Sequence, residues 1–189
     1  MSKSASAISK SKVKLATGRV RPTGGHRTSD IPEADPADVA SIDAIISAAY
    51  DVISGPAGTE RDWDRERSLF FPGARLIPVS RSSESPDLSG KLAPQILDVE
   101  GFIARVEPFF EKEGFYEKEI ARRTQQFGHI AQVWSTYESR RSENDREPFM
   151  RGINSVQLFY DDSRWWIVTI YWQQESPGDP IPENYLTEN

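Results

Sequence analysis

The sequence predicts an α+β domain in which an antiparallel sheet carries helices packed on one side. Two observations lead there. Residues 127–134, 151–160 and 164–172 follow one another as strand-like runs, and a first half with helical periodicity precedes them.

The elements follow in chain order. Asp35 with Pro36 and Asp38 forms an N-cap signature, and Val39, Ile42, Ile45, Ile46, Ala49, Val52 and Ile53 recur at helical steps until Gly55 and Pro56 end the run. Thr59 with Asp62 predicts a capping box for a short second helix over 62–71, on which Trp63, Arg67 and Phe70 share a face. Residues 74–79 read as a short strand, with Pro78 suited to an edge or an end, and residues 80–91 as a loop. Asp98 caps a third helix carrying Val99, Phe102, Ile103, Val106, Phe109 and Phe110, which Pro108 should kink or shorten and Gly114 should stop. Four strands are then expected at roughly 115–125, 129–140, 149–160 and 164–174, with hairpins at Gly128, at 140–148 and at 161–163.

Composition narrows the function classes. A chain of 189 residues, 37% hydrophobic, supports one buried core and is short for two. Residues 1–29 hold seven of the 23 basic residues and no acid, so the remainder is strongly acidic against 29 Asp and Glu. The division read from this is a basic tail over 1–34, a folded domain over 35–176 and a C-terminal extension over 177–189. The tail reads as a solvated extension, with an anionic surface, nucleic acid or organelle targeting as alternatives. The acidic domain argues against nucleic-acid binding by the folded part. With no cysteine and only His26 and His129, disulfides, thiolate chemistry and a dedicated metal site are not expected. Phosphate-binding glycine loops and nucleophile elbows are absent from the sequence, and no cofactor is expected. No apolar run is long enough to span a bilayer, so the expected setting is soluble and cytoplasmic, without a membrane partner.

Leu69-Phe70 ahead of a Gly-Ala turn and strand, Gly128 followed by Ala131 and Val133, and the closing Arg164-Trp165-Trp166-Ile167-Val168 run resemble the nuclear transport factor 2-like superfamily and its SnoaL-like group. The resemblance covers residues 36–175 and implies a cone-shaped, curved antiparallel sheet wrapped around helices, often enclosing a cavity. Its members include isomerases, cyclases, dehydratases and transport adaptors, so fold does not fix function. In the steroid isomerases of this group a general base lies on the first strand; here that stretch reads Leu76-Ile77-Pro78, without a carboxylate. The acid those enzymes keep on the penultimate strand falls here at Asn154 and Ser155.

The candidate ligand-binding residues are Tyr50, Asp62, Trp63, His129, Tyr137, Asn154 and Tyr171: aromatic walls with a few polar anchors. Asn154 and Gln157 lie on opposite strand faces, so only one meets a cavity. The charges at 61–67 read as a solvated, salt-bridged surface. Glu117 and Glu119 share a face with Phe115 and Ala121 and read as exposed partners for Lys or Arg, or as a carboxylate pair. Strict alternation makes both faces of the last strand apolar, which calls for a homodimer through the sheet or for cover by the chain's own tail. Three functions follow: binding of a small apolar molecule; SnoaL-like lyase or isomerase chemistry with Asn154 orienting and His129, Asp62 or Tyr50 carrying a proton; or a protein-interaction module using the outer sheet face.

Overall fold

The computed structural model describes residues 31–81 and 90–187. The basic tail, apart from residues 31–34, and residues 82–89 of the expected loop lie outside the described residues.

The first expected helix is two. Asp35 accepts from the Ala37 amide at 2.8 Å and starts α1 (Pro36–Val39); Ser41 then caps α2 (Ile42–Ile53), its Oγ accepting from the Ala44 amide at 3.0 Å. Serine competes for backbone amides, and at this position it restarts the helix instead of continuing it. The cap of α3 (Trp63–Leu69) is Asp62 itself, accepting from the Arg65 amide at 2.9 Å, and not Thr59. In α4 (Val99–Phe110), Asp98 caps the Gly101 amide as expected, and the helix runs on just past Pro108.

The sheet has six strands in the order β2-β1-β6-β5-β4-β3: β1 (Phe70–Arg81), β2 (Leu92–Pro94), β3 (Tyr116–Phe127), β4 (Ile130–Arg140), β5 (Met150–Tyr160) and β6 (Trp165–Gln174). The four C-terminal strands form an antiparallel meander, while β1 pairs parallel with β6, which corrects the all-antiparallel expectation. A strand near the start of the domain and its last strand are joined by the rest of the chain, so no hairpin forces them antiparallel. Phe70 already pairs with Ile167, so the second helix ends at Leu69 and the strand starts earlier than the sequence suggests.

Three register shifts break the ladders: between Phe70 and Arg75 in β1, around Ile120 in β3, and at Val168 in β6. Each extra residue bends its strand and reverses which face its later side chains take. In β6, Ile167 is in the core and Ile170 and Trp172 also point inward, while Tyr171 turns outward with 43% exposure. In β3, Glu117 and Glu119 stand opposite Ser139 and Tyr137, while Ala121 stands opposite Thr136. The inner face, with Val133, Tyr137, Val156, Leu158 and Ile167, packs on Ile45, Ile46 and Val52 of α2.

Behind the sheet, the C-terminal residues fold back across the outer face. Thr136 Oγ1 donates to the Tyr185 carbonyl at 2.6 Å, and the Tyr185 ring meets Trp134 edge-on at 5.8 Å. The chain's own tail thus covers part of the second apolar face.

One buried cation fixes the turn after α2. Arg61, 6% exposed, donates to the carbonyls of Ile53, Gly55, Pro56 and Thr59 and lies 5.1 Å from the centre of the Phe110 ring. Its planar fork satisfies the last carbonyl of α2 and three carbonyls of the turn that follows, which a lysine ammonium does not reproduce. Replacing Arg61 with Lys should lower unfolding stability by about 2 kcal/mol or more in urea titrations; an unchanged midpoint would remove Arg61 from this role.

Candidate functional site

Helices α2 and α4, Glu66 of α3 and the inner face of the bent sheet surround a cavity of about 600 Å³. Its walls are mainly apolar, with Ile46, Phe70, Phe102, Phe110, Phe115 and Trp172 among them. Among its polar groups, two places combine burial with a titratable side chain.

The first is a connected group at the junction of α2, β3, β4 and β5. Ser135 Oγ donates to Glu119, whose carboxylate is held by Arg122 at 2.6 Å. With the single Ser135 proton so committed, the Tyr50 hydroxyl donates to Ser135 Oγ at 2.6 Å and accepts from Asn154 Nδ2 at 3.0 Å. Beside them, Glu117 lines the cavity and accepts from Ser139 Oγ at 2.7 Å. Burial pushes the Glu117 carboxyl up to about 7. Tyr137, 1% exposed, has a hydroxyl that meets no hydrogen-bond partner among the described residues. Burial, together with the nearby Glu117, pushes both the Tyr50 and Tyr137 phenols well above their ordinary range, so both stay protonated.

The second is Glu66 alone. It is 2% exposed, lines the cavity, and its Oε2 accepts no hydrogen bond from the described residues. Burial pushes its carboxyl up to about 8.

Of the sequence-predicted residues, Tyr50, Tyr137 and Asn154 come together on the cavity wall. Asp62 is exposed and spent on capping α3. Trp63 lies outside the lining, its ring stacked 6.2 Å from Phe110 and its Nε1 donating to Glu107 at 3.2 Å. His129 is exposed beside the β3–β4 turn, its Nδ1 2.9 Å from the Tyr160 carbonyl. Tyr171 faces the opposite side of the sheet because of the extra residue at Val168. These four therefore do not join the cavity.

Glu66 escaped the sequence reading because it sits in a run of alternating charges. The signal was its spacing: three and four residues before Leu69 and Phe70, it shares their buried face and not that of Arg67, which pairs with Glu100 at 2.6 Å. Among the described residues no cluster of His, Cys, Asp and Glu is arranged to hold a metal ion, and no helix is long and apolar enough to cross a membrane.

No protein-family model matches the sequence, and no curated protein matches it. Solved structures do. A nuclear transport factor 2-like protein of unknown function from Silicibacter pomeroyi is 16% identical with a TM-score of 0.45, covering 72% of this chain and 94% of its own. A protein provisionally named a ketosteroid isomerase, from Parabacteroides distasonis, is 15% identical with a TM-score of 0.48, covering 74% and 92%. A protein from Kribbella flavida is 10% identical with a TM-score of 0.49, covering 72% and 90%. The likeness is one of fold alone.

The two raised carboxyls have a consequence for stability. A carboxyl whose folded value lies above its unfolded value favours folding fully at pH below the unfolded value, and that contribution is lost as pH rises through the folded value. Between the model-peptide range near 4.5 and about 8, stability should therefore fall as pH rises. Glu66→Gln, which keeps the shape and removes the charge, should flatten the fall and be more stable than the parent at high pH. Urea unfolding at acidic, neutral and alkaline pH checks this, and parallel profiles for parent and variant would contradict it.

Proposed function

We propose that the chain binds a small, largely apolar molecule in the cavity between α2, α4 and the sheet. The observation that carries this reading is the cavity itself: about 600 Å³ bounded mainly by aromatic and aliphatic side chains, with a minority of polar groups on its wall. Such a lining rewards burial of hydrocarbon, while a few polar groups fix orientation. Asn154 acts mainly through Tyr50, whose hydroxyl it anchors, and is therefore a positioning residue.

The test is to fill the space. Ala49 faces the cavity from α2; Ala49→Phe should place a ring there and reduce uptake of a hydrophobic fluorescent probe by about tenfold or more, with thermal unfolding little changed. Native mass spectrometry of the purified chain should show a copurifying small molecule in the parent and none in the variant. Equal uptake by both would contradict the proposal.

A second reading, a lyase or isomerase of the SnoaL-like type acting on a small apolar substrate, draws support from one observation. Glu117 has a carboxyl raised to about 7 on the same wall as two protonated tyrosines. A carboxyl near neutrality both takes and returns a proton, and a phenol beside it stabilises developing oxyanion character. The base position of the steroid isomerases is empty of carboxylates here, so the proton carrier would be Glu117 on β3, a different strand. In deuterated buffer, the parent should speed exchange of the α-protons of a small cyclic ketone, followed by NMR, and Glu117→Gln should abolish the effect. Exchange that persists in that variant would sink the enzyme reading.

A further inference from the structure

Acid outweighs base on the cavity wall. Its titratable groups are Tyr50 on α2, Glu66 on α3, Arg105 on α4, Glu117 on β3 and Tyr137 on β4, with Glu175 and Asp179 beyond β6. Among the described side chains no titratable group of β1, β2, β5 or β6 lines it. Arg105, the cation of this set, is exposed and bonded to Gln95, while Glu175 is held by Arg151 at 2.8 Å. The deep wall thus presents a buried carboxyl at Glu66, a half-buried one at Glu117 and no positive charge among the described residues.

Glu66 gives this imbalance a direction. Its Oε2 is buried and finds no donor among the described residues, an arrangement that costs stability unless a ligand supplies the missing donor. A ligand carboxylate or phosphate would face like charge. A ketone would take one hydrogen bond from a protonated Glu66 and leave its second oxygen unmatched. An ammonium supplies three donors and the opposite charge, and the aromatic lining, including Phe70, Phe102 and Phe110, favours a cation as well as hydrocarbon.

We propose that the molecule taken into this cavity is a lipophilic amine, its ammonium group paired with the Glu66 carboxylate and its hydrocarbon body lying among the aromatic rings. This rests on the cavity-binding reading above and adds the charge of the ligand. Pairing requires the ionised carboxylate, so binding releases a proton and tightens as pH rises toward the free Glu66 value. A neutral acceptor has the opposite dependence, because it needs the protonated acid.

Calorimetric titration of the full chain with naphthylmethylamine, naphthylmethanol and naphthoic acid, which share one ring system and differ in the head group, separates these cases. At about pH 8 the amine should bind at least about tenfold tighter than the alcohol, the acid should bind weakest, and amine affinity should rise about tenfold or more from about pH 6. Glu66→Gln should erase both the amine preference and its pH dependence while leaving alcohol binding in place, which also reports that the variant is folded. If the alcohol binds as tightly as the amine, or the amine weakens as pH rises, the amine proposal fails and the cavity reading stands. If none of the three binds, the cavity reading fails and takes the amine with it.

Discussion

A sheet that must curve around helices cannot keep an unbroken two-residue alternation, and the irregularities in β1, β3 and β6 are where this chain departs from it. The extra residue at Val168 lets Trp165 and Ile167 fill the core at one end of β6 while Ile170 and Trp172 turn toward the cavity at the other. The one near Ile120 aims Glu117 and Glu119 inward and leaves Arg123 over the Tyr185 ring on the outside. Hollow and covered back are both products of the same two local insertions.

The bend also decides the electrostatics. Glu117 is partly taken out of water by the strand that carries it, and Glu66 fully, by the burial of one face of α3 against the core. The two carboxyls are handled differently. Glu117 has Ser139 and stands beside a hydrogen-bonded set running from Asn154 through Tyr50 and Ser135 to Glu119 and Arg122, whereas the Oε2 of Glu66 has no partner among the described residues. A polar group left without a partner in a protein interior is a standing cost, and such costs are found where a ligand relieves them.

The fold class was legible in the sequence because its signals are local and redundant. Caps at Asp35 and Asp98, the helical spacing of Ile45, Ile46 and Val52, and the glycine turn at Gly128 each specify an element without reference to the rest. The parallel pairing of β1 with β6 was hidden, since it depends on chain ends that meet only in the folded state. The candidate site was half legible. Tyr50, Tyr137 and Asn154 were named from residue type and strand face, whereas Tyr171 was misplaced because one inserted residue inverts every later side chain. Glu66 was lost in a charged run whose composition resembles a solvated surface, although its spacing from Leu69 and Phe70 marked the buried side.

Glu66, buried, and Glu117, half-buried, line one hollow. Carbon-13 NMR titration of the glutamate side-chain carboxyls observes them directly. Glu66 should titrate near 8 and Glu117 near 7. Titration of both near the ordinary 4.5 would place them in water and contradict this placement.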